Sequence, residues 1–235
     1  MTTTDIPYKS ALIVGAGPGL SASLARALTR AGLSVGLAAR SVEKLAALTE
    51  ETGAKAFAAD AADPKNVERL FGWADSEIGE PDLVVYNASA RARGRLAELD
   101  PEQVRRAVEI SAFGGFLVVQ QAAKRMVPRK HGAILLTGAT ASVKGFALSS
   151  AFAMGKFALR GLAQSAAREL SPQGVHVAHV IVDGGIRSAG RPDPAGHPDS
   201  TLEADGVADL YLSILRQPRS AWTFEVDVRP WVETF

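Results

Sequence analysis

The sequence contains no cysteine, and this absence excludes disulfide bonds, thiolate metal sites and a cysteine nucleophile. Only four histidines occur among its 235 residues, so an all-imidazole metal site is not expected either. His176 and His179 are three residues apart in an apolar run typical of a strand, where their side chains point to opposite faces. We therefore expect no metal centre.

An excess of charge of either sign is also missing. Lysine and arginine number 26 and aspartate and glutamate 25, which gives a formal net charge of +1. A chain this close to neutrality is not expected to bind nucleic acid nonspecifically. Arg91, Arg93 and Arg95 form a local basic group, which we interpret as a solvated loop.

Long apolar runs are absent as well, and none reaches the ~20 residues that a helix needs to cross a bilayer. The first fourteen residues, MTTTDIPYKSALIV, show no basic segment followed by an apolar core and a small-residue cleavage site. We expect a cytoplasmic protein with neither a membrane nor a nucleic-acid partner.

Short apolar runs alternate with longer stretches of helical character, and 47% of the residues are hydrophobic. This alternation predicts an α/β fold: a Rossmann-type doubly wound parallel β-sheet with helices on both faces, as a single domain over residues 1–235. The predicted strands are residues 11–14, 35–39, 55–58, 83–86, 133–137, 175–182 and 222–228. The predicted helices are residues 20–31, 42–52, 66–77, 102–127 and 151–170.

One long interruption, residues 187–205, contains three prolines and two glycines. A doubly wound sheet binds its ligand beyond the carboxyl ends of its strands, and long loops in compact domains are often functional. We expect this loop to cover a bound substrate.

A glycine-rich turn follows the first predicted strand, with Gly15, Gly17 and Gly19 preceding Leu20 and a helix. Glycine lets the backbone approach a pyrophosphate, and the helix amino terminus offers free N–H groups. Leu20 stands at the third glycine of G-x-G-x-x-G, whereas Gly15 and Gly19 fit G-x-x-x-G. The alternative is a tight turn without a ligand.

Arg40 ends the second predicted strand, where an acidic residue would bind the ribose hydroxyls of NAD. A guanidinium there suits the 2′-phosphate of NADP, so NADP is favoured over NAD; a plain surface charge is the alternative. Asp60 and Asn87 follow the third and fourth strands, where they face a nucleotide or simply form turns.

These motifs resemble the short-chain dehydrogenase/reductase family over essentially the whole chain. The family's T-G-x-x-x-G-x-G is similar to residues 14–21, its N-A-G to residues 87–89, and its late Pro-Gly to Asp183-Gly184, although the register from Gly174 would place Val182 on the proline. The resemblance implies cofactor contacts at Gly15, Gly17, Gly19, Leu20, Arg40, Asp60, Ala61, Asn87, Ala88, Lys156, Gly184 and Ser188.

The catalytic positions depart from the family pattern. Its Y-x-x-x-K is similar to Phe152 through Lys156, its catalytic serine falls on Ala139, and its helix asparagine on Ser111. Lysine alone is kept, and we expect it to contact the cofactor ribose. A subset of the family shares T-G-A-T-A-S, the phenylalanine before the spaced lysine and a tail like residues 219–223, so the changes are expected to be a subgroup feature.

Phenylalanine cannot donate a proton, and losing a positioned general acid costs about two to four orders of magnitude in rate. Replacement donors near the motif are water and the hydroxyls of Thr140, Ser142, Ser149 and Ser150. The first hypothesis is an NADP(H)-dependent oxidoreductase acting on a small carbonyl compound, alcohol or activated double bond. The second is a catalytically inactive NADP-binding or regulatory protein. The resemblance also implies a homodimer or homotetramer.

Overall fold

Seven parallel strands form one sheet in the computed structural model, which describes residues 6–188 and 191–233. The strands are β1 (Ser10–Val14), β2 (Ser34–Ala39), β3 (Lys55–Ala58), β4 (Leu83–Tyr86), β5 (Gly132–Thr137), β6 (Val175–Val182) and β7 (Glu225–Val228). Their order is β3-β2-β1-β4-β5-β6-β7. Strands are added on one side of β1 as far as β3 and on its other side from β4 onward, so the topological switch point lies between β1 and β4. The predicted α/β class and doubly wound sheet are confirmed.

Helices cover both faces of the sheet, which explains why the central strands are apolar along their full length. The helices are α1 (Leu20–Arg30), α2 (Ala46–Thr52), α3 (Pro64–Glu77), α4 (Pro101–Val108), α5 (Gly114–Arg129), α6 (Ser150–Leu170) and α7 (Ala204–Leu215). Side chains of α1, α2 and α7 form one core cluster with alternate strand residues such as Ile13. Those of α3, α5 and α6 form the other with Leu12 and its equivalents. No helix in the described part of the chain is long and apolar enough to cross a membrane.

The predicted strands match the observed ones to within one residue, except at β7. That strand begins at Glu225 and not at 222, because side chains bind the backbone before it. Gln217 accepts a hydrogen bond from the Thr223 N–H at 2.7 Å, and the His176 ring bonds the Thr223 carbonyl at 2.8 Å. The helix α7 had no predicted counterpart, although Val207, Tyr211 and Leu215 lie on its buried side at helical spacing.

The single helix predicted over residues 102–127 is interrupted. A π-helical turn, Glu109–Phe113, separates α4 from α5. The Tyr86 hydroxyl donates to the Ile110 carbonyl there, and a Cβ on Gly114 would lie 2.5 Å from that hydroxyl. The helix therefore bulges where β4 presses on it, as π-turns commonly do near functional sites.

Residues 187–205 form the predicted loop only as far as Glu203, because α7 begins at Ala204. Arg187 pairs with Asp193 and Glu203, which ties the described parts of this segment together. Residues 189 and 190 of the loop, and residues 1–5 and 234–235 of the predicted domain, lie outside the described residues.

Candidate functional site

The glycine turn after β1 is closed by contact with the chain that follows β4. Gly15 has a φ of +90°, and a Cβ on it would lie 2.3 Å from the Ala88 backbone nitrogen, so only glycine fits. The Gly15 N–H donates to the Ala38 carbonyl at 2.9 Å. At Gly17 and Gly19 a Cβ would meet nothing within 4 Å, which leaves the backbone before α1 open to a ligand.

Two polar side chains brace this turn from inside. The Asn87 amide donates to the Ser21 hydroxyl at 2.7 Å, and that hydroxyl donates to the Gly15 carbonyl at 3.1 Å. Ser21 stands where the family pattern has glycine, and its hydroxyl here fastens α1 to the turn. The end of β4 and the turn are thus held as one unit.

Three cavities open at the carboxyl edge of the sheet, and Asn87 borders all of them. The turn cavity, about 280 Å³, and the Arg40 cavity, about 250 Å³, both border Gly15. The predicted cofactor residues Gly17, Gly19, Leu20 and Ser188 line the turn cavity. Arg40, Asp60, Ala61 and Ala88 line the Arg40 cavity.

Arg40 and Asp60 differ in their partners. Arg40 is exposed and makes no ion pair with any residue that the structure describes. The Asp60 carboxylate accepts a hydrogen bond from the Ala62 N–H at 3.0 Å and pairs with Arg106. Asp60 therefore also links β3 to α4, a contact that sequence reasoning missed, while Arg40 has its donors free for an anion.

The third cavity, the Lys156 cavity, has a volume of about 500 Å³. The predicted residues Phe152, Ala139, Thr140, Lys156 and Gly184 line it. β6 ends at Val182, and the Asp183 N–H donates to the Val228 carbonyl at 2.8 Å, which leaves Gly184 facing the cavity.

Ser111 does not line this cavity. Its hydroxyl accepts a hydrogen bond from the Ala90 N–H at 3.1 Å, and it is wholly buried. A Cβ on Gly155 would lie 2.6 Å from the Ser111 Cβ, so the serine sits directly behind α6. The predicted catalytic position is therefore placed one layer behind the cavity, where it holds the segment after β4.

Lys156 is buried, and its ammonium donates to the Thr137 carbonyl at 2.7 Å. Burial removes water from the charged form, and the Arg91 guanidinium repels it, so the pKa of Lys156 falls to about 7. A lysine with this pKa exchanges protons at neutral pH, unlike an ordinary surface lysine.

The predicted replacement hydroxyls have different surroundings. Thr140 donates to the Asp183 carboxylate, and Ser142 accepts from the Ala139 N–H at 3.1 Å. Ser149, the N-cap residue of α6, lines the Lys156 cavity and makes no side-chain capping hydrogen bond, whereas Ser150 does not line the cavity. Of the four, Ser149 is the hydroxyl best placed to meet a ligand.

The basic group after β4 is an exposed loop, as the sequence interpretation expects, but two of its arginines also border a cavity. Arg91 and Arg93 line the Lys156 cavity, and the Arg91 guanidinium lies 4.2 Å from the centre of the Phe152 ring. Partial burial, together with repulsion from Arg191 and Arg93, lowers the pKa of Arg91. Arg95 is exposed as well and lies outside the cavity, with Glu98 at 3.6 Å. The available signal was the position of Arg91 directly after the Asn87 motif.

Comparisons with known proteins agree with this geometry. A family model described as short chain dehydrogenase matches residues 9–191. A short-chain dehydrogenase/reductase of Armillaria gallica is 34% identical over 187 residues, 75% of this chain and 71% of that protein. The solved short-chain dehydrogenase from Rhodopseudomonas palustris has a TM-score of 0.83 at 32% identity, covering 95% of this chain and 99% of that one.

The solved alcohol dehydrogenase of the archaeon Thermococcus sibiricus, complexed with 5-hydroxy-NADP, also has a TM-score of 0.83. It is 26% identical, and the match covers 96% of this chain and 98% of that one. The matched region of the family model contains the glycine turn, Asn87 and Lys156, which the fold brings to one edge of the sheet. The chain belongs to the short-chain dehydrogenase/reductase family.

Proposed function

We propose that the protein is an NADP(H)-dependent oxidoreductase that interconverts a small carbonyl compound and its alcohol. One observation carries the proposal: Asn87 borders the two cavities beside the glycine turn and also the cavity that contains Lys156. A dinucleotide lying in the first two cavities would therefore reach the third, where a substrate of ordinary size has room.

The cofactor would be held by groups that the structure leaves open. The backbone N–H groups before α1 would bind the pyrophosphate, since a helix amino terminus favours an anion. Arg40 would bind the 2′-phosphate, and this supports NADP over NAD. The Thermococcus sibiricus protein, at 26% identity, is complexed with an NADP derivative, which is consistent with that choice.

Lys156 would provide the proton in place of the missing tyrosine. When bound, the nicotinamide supplies a hydride to the carbonyl carbon. The Lys156 ammonium then gives a proton to the carbonyl oxygen, and water returns a proton to the neutral amine. Because Ala139 has no hydroxyl, the same ammonium would also stabilise the developing negative charge, an electrostatic role that is large in a dry site.

The test is a turnover assay preceded by a binding titration. Calorimetry should show tighter binding of NADPH than of NADH, and NADPH should be consumed over a panel of aldehydes and ketones only when protein is present. Lys156→Met should lower consumption by about two to four orders of magnitude and keep the glycine-turn contacts. No binding of either dinucleotide would contradict the proposal.

A second function is favoured by a specific observation. Neither Phe152 nor Ala139 brings a hydroxyl into the cavity, and Arg91 covers the Phe152 ring. An NADP-binding protein without turnover would have this arrangement. NADPH binding in the titration, together with no consumption across the panel, would establish this alternative.

An oligomer is also proposed. Phe113, Phe116, Met154 and Phe157 are exposed large apolar side chains, and the first two rings stack with centroids 6.1 Å apart. Family membership and this apolar surface support a homodimer or homotetramer. Light scattering at several protein concentrations tests it, and a monomer at all of them would contradict it.

A further inference from the structure

Three exposed arginines border the Lys156 cavity, and they come from two separate segments of the chain. Arg91 and Arg93 belong to the segment after β4, whereas Arg191 belongs to the segment after β6. A Cβ on Gly185 would lie 3.0 Å from the Arg191 Cδ, so the arginine side chain lies flat on the backbone that follows β6. Together with Lys156, four basic groups converge on one space.

No acidic side chain lines this cavity among the residues that the structure describes. Asp183, which directly follows β6, accepts a hydrogen bond from Thr140 and pairs with Arg229 at 3.4 Å. The neighbouring Arg187 behaves differently from Arg191, because it pairs with Asp193 and Glu203. The cavity is thus positively charged, because basic side chains line it and the nearby carboxylates pair with other residues.

Like charges gathered without a counter-charge oppose folding and persist where they serve binding. Arginine is suited to this use because its planar donors match a carboxylate or phosphate with two parallel hydrogen bonds. The Phe152 ring under Arg91, at 4.2 Å, fixes one guanidinium without neutralising it, since a cation–π contact consumes none of its N–H donors.

We propose that the substrate of this site is a small carbonyl compound or alcohol bearing a carboxylate or phosphate, which Arg91, Arg93 and Arg191 bind. The inference rests on the proposed oxidoreductase function and adds the substrate class to it. The cofactor phosphates are a separate matter, because the open backbone before α1 lies in the turn cavity and Arg40 lies in its own cavity.

Binding is the primary test, because it does not require turnover. The full chain saturated with NADP⁺ is titrated by calorimetry with benzoate, phenyl phosphate and the neutral benzamide. At least one anion should bind about tenfold or more tightly than benzamide, as expected for charge-assisted hydrogen bonds. Whichever of benzoate and phenyl phosphate binds more tightly shows whether the site prefers a carboxylate or a phosphate.

Arginine variants distinguish anion binding by the cavity arginines from a general effect of positive surface charge. Arg91→Gln with Arg191→Gln should lower the anion affinity about tenfold or more and leave benzamide and NADPH affinity unchanged. Arg95→Gln removes one positive charge from the same segment outside the cavity and is the matched control, which should bind anions as the parent does.

A kinetic comparison adds the substrate class. For 4-carboxybenzaldehyde and its neutral methyl ester, kcat/KM should favour the acid about tenfold in the parent and be nearly equal in the double variant. Equal binding of anions and benzamide would overturn the inference, and so would a loss of NADPH affinity in the double variant. Selective anion binding without any turnover would support an anion-binding site at these arginines and refute the proposed oxidoreductase function.

Discussion

Around β1 and β4 the turn is closed by Gly15 against Ala88 and braced by Ser21 and Asn87, so the backbone at that end of the sheet is closely packed. Around β5 and α6, the cavity holds Ala139 and Phe152 where the family pattern has two hydroxyls. The first region is defined by close backbone contacts, and the second by the side chains that line a wider space. At Gly15 the turn has no room for an added Cβ, whereas the wider Lys156 cavity has room for side chains of different size.

The largest expected effect on cofactor binding and stability lies in the first region. Gly15→Ala would place a Cβ 2.3 Å from the Ala88 nitrogen at a φ of +90°, so the turn must open. We expect NADPH affinity to fall about a hundredfold and the free energy of unfolding to fall by roughly 2 kcal/mol. Calorimetry and urea unfolding measure the two effects.

Gly17→Ala is the matched control for that change, since a Cβ there meets nothing within 4 Å. It should leave the free energy of unfolding nearly unchanged. Equal destabilisation by the two substitutions would show that the close contact with Ala88 is not what requires glycine.

The next effect tests Lys156 in the second region. Lys156→Met should reduce carbonyl reduction by about two to four orders of magnitude, because the proton donor is gone. In the parent, the reduction rate should fall as pH rises through about 7, where the ammonium loses its proton, and alcohol oxidation should rise. Steady-state rates from about pH 6 to pH 9 measure this; a flat profile in the parent would remove Lys156 as the donor.

Stability gives an independent readout of the same group. The folded pKa of Lys156, about 7, lies below the usual value of 10.5, so between these values the unfolded chain binds a proton that the native chain lacks. The contribution of Lys156 to the free energy of unfolding therefore rises with pH across that window. Urea unfolding should show this rise in the parent and its loss in Lys156→Met.

A smaller effect is expected when the hydroxyls of the family pattern are restored by substitution. Phe152→Tyr with Ala139→Ser returns both hydroxyls to the Lys156 cavity, and we expect the reduction rate to rise about tenfold or more. The gain is smaller than the loss above because Arg91 occupies the face of the ring. An unchanged rate, with parent-like NADPH affinity, would mean that these positions do not have the family's geometry.

The smallest effect concerns cofactor choice. Arg40→Ser should weaken NADPH binding about tenfold, since the 2′-phosphate would lose the exposed guanidinium as its partner. NADH has no 2′-phosphate, so its binding should be unchanged. Parallel titrations of the two dinucleotides measure the ratio. An equal loss of affinity for NADPH and NADH would show that Arg40 acts only as a general surface charge.

Much of the fold was predictable because buried parallel strands are apolar throughout and the helices between them are long. The errors lie where tertiary contacts override local pattern. Tyr86 pulls the Ile110 carbonyl out of a regular helix, and Gln217 and His176 take the backbone groups that would have lengthened β7. Tyr86 and His176 are distant in the sequence from the groups that they bind, so these contacts leave no local signal, whereas Gln217 lies only six residues before Thr223.

By itself the sequence determined the alternation of strands and helices, the glycine turn, the retained Lys156 and the absence of the two hydroxyls. Only the tertiary structure decided that Arg191 and Arg91 line one cavity, that Ser111 lies behind it and that Lys156 is buried. The physical reason is that charge and burial depend on distances between segments, which loop packing sets. Residue identity fixes which groups are present, and folding fixes which of them meet.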